Sequence, residues 1–367
     1  MESSTALAEH GVHAMTSSWT HKPLREIMTL QRGFDLPKKE RREGQVPIIS
    51  SSGAEDFHAV SAKQGPGVVT GRYGTIGKVF YSEEPYWPLN TTLFVSNFHG
   101  NSPRYCYYLL SRLNFREHSG KTGVPGVNRN DLHTVEMLTT TDTREQEAIA
   151  EALWDMDTLI EALEGLIAKK RLIKQGVMQD LLTGKRRLPG FPEEWVLKTL
   201  GDFAHMKSGE AITSACITEN GEFPVYGGNG LRGYTSTFNK DGECTLVGRQ
   251  GALCGAVTHT SGRIFASEHA IVCKAISGNS QRYLSHLFEF LNLNRVSEAS
   301  AQPGLSVEKI RKIEVRASPR EGEQERIAQI LDEMDAEIRA LESRSKKARR
   351  VKEGMMQNLL TGRIRLI

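Results

Sequence analysis

The sequence predicts an α+β protein built from two tandem, pseudo-two-fold-related globular segments and a long antiparallel two-helix coiled coil. Three observations carry that prediction. The stretch from Arg144 to Leu188 recurs from Gly322 to Leu366 at a shift of 178 residues, with 24 of 45 positions identical. The shift stays nearly constant upstream, where Trp19 aligns with Trp195, Arg72 with Arg249, Tyr105 with Tyr283 and Pro125 with Pro303. Each repeated stretch also spaces its apolar residues alternately by four and three, the pattern of a coiled-coil seam. The expected order is a leader over 1–18, a head over 19–143, a helix over 144–188, a second head over 189–321 and a second helix over 322–367. A chain of 367 residues exceeds what one hydrophobic core usually serves, which fits this division.

The leader, Met1 to Ser18, has no Lys or Arg and no continuous apolar stretch, so it reads as a flexible segment and not as a secretory signal. No run of about 18 apolar residues follows anywhere, so no membrane span is expected. Five cysteines without a Cys-x-x-Cys pair argue against a disulfide framework or a structural zinc, and for reduced thiols in a cytoplasm. The net charge of +3 does not by itself argue for nucleic acid. The first head has 15 basic against 12 acidic residues and the second has 14 of each, so any basic surface must come from local clustering.

Each head opens on a tryptophan, Trp19 or Trp195, and continues with short strand-like runs bounded by Gly, Ser or Asn. In the first head these are 46–49, 67–70, 78–81 and 92–95; in the second, 223–226, 244–247, 255–258 and 270–273. A short amphipathic helix is then expected over Arg104 to His118 and over Arg282 to Val296. The result is a small α+β domain around a curved sheet. Two loops stand out in each copy. One is glycine-rich, Gly71 to Gly77 and Gly248 to Gly255. The other precedes the last strand, Lys121 to Asn130 and Ala299 to Ser306. Glycines let backbone approach a ligand closely, and an Arg beside an aromatic or an amide suits base edges or phosphate. The same glycines would equally serve as plain turns.

The first helix carries Ile149, Leu153, Met156, Ile160, Leu163 and Ile167 along its seam, and the second Ile327, Leu331, Met334, Ile338 and Leu341. Gly184 and Gly362 sit where a helix carboxyl end is expected. About 40 residues at ~1.5 Å each give a rod of roughly 60 Å. Charge along each rod is polarised. Residues 144–167 hold 1 basic and 7 acidic side chains, and 168–188 hold 7 basic and 1 acidic; the second rod runs 3 to 7 and then 7 to 1. Parallel pairing would set like beside like, whereas antiparallel pairing sets each acidic half beside a basic one. Complementing the helix dipole would explain only the first and last turns.

Motifs of catalysis are missing. Gly184-Lys185 and Gly77-Lys78 lack the rest of a phosphate-binding loop, and no dinucleotide fingerprint, amino-methyltransferase motif, His-Glu-x-x-His or Gly-x-Ser-x-Gly appears. Glu268-His269 has the makings of an acid–base pair, but the first copy has Asn90-Thr91 there. Diverged heads on similar rods fit two recognition modules better than two active sites.

The stretches Lys174 to Gly184 and Lys352 to Gly362, the helix openings Glu145 to Ala150 and Glu323 to Ala328, and the entry Pro189 to Pro192 ahead of Trp195 resemble the specificity subunit of a type I restriction–modification system. The resemblance runs from about Trp19 onward. It implies that each head is a target recognition domain, that each binds one half of a split double-stranded DNA sequence through the major groove, and that the chain itself is not an enzyme. It implies further that the coiled coil spaces the heads and docks two methyltransferase subunits, which bring S-adenosylmethionine. Restriction translocase–nuclease subunits, with ATP and Mg, would cut. No cofactor or metal is expected in this chain. A spacer set by the rods follows, since one DNA turn is ~34–36 Å. Inserting or deleting about one helical turn near Ala168 is therefore expected to change the spacer and leave both half-sites intact; a methylation map showing an altered half-site would sink the idea.

By donor and acceptor geometry, Arg suits guanine, and Asn or Gln suits adenine. The candidate DNA contacts are Arg72, Tyr73, Lys121, Asn128 and Arg129 in the first head, and Asn229, Arg232, Arg249, Gln250 and Gln302 in the second. Any of them serves phosphate as well as base. Three alternatives stay open on the sequence: a non-DNA scaffold, an enzyme with a duplicated site, and the specificity chain of a related system whose nuclease and methyltransferase share one polypeptide.

Overall fold

The computed structural model describes residues 18–119, 125–251, 253–296 and 304–366. These divide into two compact units. One holds the residues up to Leu163 together with those from Arg344 on, and the other holds Glu164–Ser343. The division cuts both long helices, so each unit is one head with a half of each helix. The leader lies outside the described residues.

In the first unit the chain runs through β1 (Trp19–Pro23), α1 (Leu24–Ile27), β2 (Thr29–Arg32), β3 (Val46–Ser50), β4 (Gly53–His58), β5 (Gly67–Gly71), β6 (Val79–Ser82), β7 (Trp87–Pro88) and β8 (Thr92–Asn97). It continues with α2 (Pro103–Ser111), α3 (Arg129–His133), β9 (Glu136–Thr140) and the first half of α4 (Thr143–Leu182). The strands form three sheets where the sequence suggested one: β1-β9, β2-β8-β5-β6 and β4-β3-β7. A register shift between Ile48 and Ile49 bends β3, and the parallel strand beside it, β7, is only two residues long. Such a strand cannot extend the larger sheet.

The second unit repeats this frame. After α4 come β10 (Val196–Thr199), α5 (Leu200–Phe203), β11 (Ala204–Ser208), β12 (Phe223–Gly227), β13 (Gly230–Thr235), β14 (Cys244–Gly248), β15 (Val257–Thr260), β16 (Phe265–Ala266) and β17 (Ala270–Ala275). Then follow α6 (Gln281–Leu291), α7 (Val307–Arg311), β18 (Glu314–Ala317) and α8 (Glu321–Leu359). Its sheets are β10-β18, β11-β17-β14-β15 and β13-β12-β16, and the bulge recurs between Val225 and Tyr226. The strand expected over 255–258 begins two residues later, because Gly255 (φ +86) still belongs to the turn. The helix expected over 104–118 ends at Ser111, and its counterpart ends at Asn292 in the left-handed region.

The heptad reading holds. Ile149, Leu153, Ile160, Leu163 and Ile167 on α4 are buried, as are Ile327, Leu331, Ile338 and Leu341 on α8. In the second unit Arg171 pairs with Glu342 at 2.5 Å and Lys174 with Asp335 at 2.7 Å, so rising numbers on α4 meet falling numbers on α8. In the first unit Asp157 meets Lys352 at 2.5 Å, while Glu145 meets Arg365 beyond the end of α8. The helices pair antiparallel, and opposite charges face each other as the polarised sequence required.

Each head is tied to both helices by the same device. Glu145 is fully buried; its Oε2 accepts from Trp19 Nε1 at 3.1 Å, Thr140 Oγ1 at 2.9 Å and Arg365 Nη2 at 3.0 Å. Glu323 accepts from Trp195 Nε1 at 3.0 Å and from Arg187 at 3.0 and 3.2 Å. Burial pushes the Glu145 carboxyl up, but Arg365, Thr140 and Trp19 together outweigh it and hold it below the ordinary range. The next residue repeats the pattern. Gln146 accepts from Ser102 N and donates to Thr140 O, and Gln324 accepts from Ser280 N and donates to Ser318 O. The glycines after the helices complete the joint. Gly362 (φ +66) and Gly184 (φ +72) lie so close to the indoles of Trp19 and Trp195 that a Cβ would sit 2.8 and 2.9 Å from them. Only glycine meets both the backbone angle and the contact.

Candidate nucleic-acid interface

The loops singled out in the sequence meet in space, in both heads. The turn after β5 places Arg72 so that its N–H donates to Thr91 O at 2.8 Å and its carbonyl accepts from Val127 N at 2.9 Å. After β14, Arg249 N donates to His269 O at 2.8 Å and Arg249 O accepts from Leu305 N at 2.9 Å. The glycine-rich loop is thus stitched to the Pro-Gly loop on one side and to a third loop on the other. That third loop joins β7 to β8 through Asn90 and Thr91, and β16 to β17 through Glu268 and His269. The hairpin turn between β3 and β4, or between β12 and β13, closes the cluster. A Cβ on Gly74 would lie 3.7 Å from Ser51 Oγ, and one on Gly228 would lie 2.9 Å from Gln250 O.

In the first head Arg72 lays its guanidinium over the Tyr73 ring, 4.5 Å from the centroid, and Tyr73 remains 47% exposed. The stack fits because Gly126 runs beneath the ring; a Cβ there would come within 2.5 Å of it. Asn128 is exposed but is committed in part: its Oδ1 accepts from Asn130 N at 3.0 Å and caps α3. Arg129, the first residue of α3, is exposed. Burial, together with Arg129 and Arg25, holds His133 below its ordinary value, in keeping with Nε2 accepting from Leu30 N at 2.9 Å. In the second head Arg249 Nη1 donates to Ser208 Oγ at 2.9 Å. Gln250 is exposed, with its Oε1 3.2 Å from His269 Nδ1. Asn229 sits exposed at the β12–β13 turn, and Arg232 is exposed on β13. Lys121 and Gln302 lie outside the described residues.

Sequence reasoning passed over the hairpin turn and the third loop. Ser51 carries no motif. In the sequence Asn90-Thr91 and Glu268-His269 show only as a failed acid–base match, and no local pattern marks the turn that they share. In the second unit, His286, Glu289 and Asp335 have donor atoms within 4.8 Å of one another, as a metal site would. Lys174 Nζ lies 2.7 Å from Asp335 and 3.2 Å from Glu289, so an ammonium already serves as the cation there. No helix among the described residues is long and apolar enough to cross a membrane.

Two segments of the chain, 16–169 and 192–349, match the family model for the type I restriction modification DNA specificity domain. The chain belongs to that family. Each of its two specificity domains therefore takes in one head and most of the helix that follows. Over 142 residues the chain is 41% identical to the specificity subunit of the Escherichia coli EcoprrI type I restriction enzyme, a stretch that covers 38% of this chain and 35% of that subunit. It is 24% identical over 283 residues to a putative type I specificity subunit of Mycoplasma pneumoniae, covering 72% of this chain and 74% of that one. The crystal structure of the S subunit of a type I restriction–modification system from M. genitalium superposes with a TM-score of 0.75 at 18% identity, over 94% of this chain and 96% of that one. That likeness is one of fold.

Proposed function

We propose that this chain is the DNA-reading subunit of a cytoplasmic type I restriction–modification complex, with each specificity domain reading one of two unlike half-sites in double-stranded DNA. The observation that carries the reading is the duplicated loop cluster. Backbone hydrogen bonds of the same lengths hold the same three loops in both heads, while the side chains on them differ: exposed Tyr73 against exposed Gln250, and half-buried Asn90-Thr91 against half-buried Glu268-His269. A fixed frame with exchanged tips is what reading two different sequences requires, because base edges differ only in their pattern of donors, acceptors and methyl groups. Arg72, Arg129, Arg232 and Arg249 supply donors for guanine or phosphate.

The helices support the second part of the reading, docking of two methyltransferase subunits that bring S-adenosylmethionine, and beyond them the translocase–nuclease subunits with ATP and Mg. Leu166, Leu172 and Ile173 stay exposed on α4 beside its buried seam, Leu172 by 70%. Exposed apolar side chains beside a satisfied seam suit a protein partner better than DNA. The test is a map of methylated adenines in the source genome, by single-molecule sequencing, with and without this gene. A split motif of two short, unlike half-sites that vanishes on deletion is the expected result. An unchanged methylation map in a host that expresses the methyltransferase partner would overturn the reading.

A further inference from the structure

The half-buried arginines of this chain are of two kinds. Among the described residues they are Arg41, Arg72, Arg104, Arg187, Arg249 and Arg365. Four of them pair with a carboxylate: Arg41 with Asp56, Arg104 with Glu83, Arg187 with Glu323 and Arg365 with Glu145. Arg72 and Arg249 have no acidic partner among the described residues. Arg72 lies over the Tyr73 ring instead, and Arg249 donates to Ser208 Oγ at 2.9 Å. These two occupy equivalent places in the two heads, with the same backbone hydrogen bonds on either side.

A guanidinium partly withdrawn from water loses hydration, and an anion beside it offsets that loss best. For the other four arginines an acid of the chain does so. For Arg72 and Arg249 the anion is left to come from outside. A base edge offers only neutral acceptors, such as guanine O6 and N7, whereas each phosphate carries a full negative charge. The exchange of residues between the heads points the same way. Positions 72 and 249 both keep arginine, while their exposed neighbours, Tyr73 and Gln250, differ. A half-site changes its base edges with sequence but never its phosphates. The residue that stays therefore suits the backbone, and the residue that changes suits the bases. Both side chains keep donors for this. Stacking on Tyr73 uses none of the five N–H groups of Arg72, and Arg249 gives one to Ser208.

We propose that Arg72 and Arg249 are phosphate anchors, one for each half-site, and that sequence is read beside them, at Tyr73 and Gln250. This division of labour rests on the DNA-reading function proposed above. Arg249→Ala removes one phosphate contact. The slope of log affinity against log salt then becomes shallower by about 0.9. Between about 50 and about 200 mM salt, the wild-type complex weakens roughly three- to fourfold more than the variant. Affinity falls alike for the methylated motif and for a scrambled duplex, and the motif itself does not change. Arg249→Lys keeps the charge and with it the slope. Gln250→Ala does the opposite: it leaves the slope alone and broadens one position of the second half-site. Arg72→Ala combined with Arg249→Ala changes the slope by about 1.8.

The measurement pairs two readouts on the full chain assembled with its methyltransferase partner. One is fluorescence anisotropy of duplex binding across a salt series, and the other is the methylated motif by single-molecule sequencing. The duplexes carry either the wild-type methylated motif or a scrambled sequence of the same length. A shallower slope with an unchanged motif in Arg249→Ala is the expected result. A broadened position in that variant overturns the anchor, because the guanidinium then reads a base. An unchanged slope overturns it too, because the side chain then meets no phosphate. Arg249→Gln removes the charge but keeps an N–H for Ser208, so it reads the same change of slope where the alanine variant does not fold. An unaltered motif in Gln250→Ala overturns the second half of the proposal. A wild-type map with no split motif overturns the DNA-reading function itself, whereas the other outcomes overturn only the roles of these residues.

Discussion

Lys174→Glu is expected to break the helix pairing of the second unit, and Asp335→Lys in the same chain is expected to restore most of it. Lys174 is nearly buried, and its ammonium contacts Asp335 and Glu289, with Asp335 at 2.7 Å. Reversing its charge puts three carboxylates together where one cation had balanced two. Removing one partner from a buried ion pair costs roughly 3–5 kcal/mol, and adding a like charge costs more. That is a large part of the 5–15 kcal/mol that holds a typical domain together. The swapped pair recovers the contact to residue 335 and leaves Glu289 facing a carboxylate at position 174, so rescue is expected to be partial. In the first unit the same positions are Lys352 and Asp157, where Tyr108 Oη donates to Asp157 Oδ2 at 2.7 Å. Lys352 is more exposed and faces one carboxylate, so Lys352→Glu is expected to cost less. Thermal unfolding of the four variants, alone and combined, checks the ranking. Independence of the Lys174 and Asp335 effects would remove the ion pair as the cause.

How much of this was legible in the sequence depends on how local the signal was. The seam residues could be read because helical periodicity repeats in two copies, and Leu153 and Leu331 are indeed fully buried. The antiparallel sense could be read because the charge runs are longer than any helix-end effect reaches. The strands at 46–49, 67–70 and 92–95 could be read because Gly, Ser and Asn bracket them. The pairing β1-β9 could not, since Trp19 and Thr140 face each other across more than a hundred residues with no pattern linking them. In the sequence Glu145 and Gln146 show only as a repeated helix opening, matched by Glu323 and Gln324. Their work is tertiary: a carboxylate buried at a helix start is intelligible only once Trp19 and Arg365 are seen around it. Among the candidate DNA contacts, residue type pointed to Arg249 and Gln250, but Ser208 and His269, which touch those side chains, come from the end of β11 and from the third loop. A single sequence contains no record of those contacts.

Removing residues 359–366 is expected to unfold the first head while sparing the second. The sequence gives no hint of this, because those residues lie more than two hundred positions beyond the head they complete. Leu359 and Leu360 are buried in the same core as Leu24, Tyr105, Leu109 and Leu153. Arg112 Nη1 donates to Leu360 O at 2.6 Å, Trp19 packs on Gly362, and Arg365 reaches Glu145. Truncating one buried leucine to alanine costs about 2–5 kcal/mol. Deleting both also strips Glu145 of its cation, leaving a fully buried carboxylate without one. Together these losses match the whole stability of an ordinary domain. The second head has its own copy of the joint, Leu181, Leu182, Gly184 and Arg187 on Trp195 and Glu323, and the truncation leaves all of these in place. Hydrogen exchange resolved by segment provides the test. Fast exchange throughout β2, β5 and β8 beside unchanged protection in β11, β14 and β17 is the expected pattern, and equal protection in both sets would show that the first head stands without the distant segment.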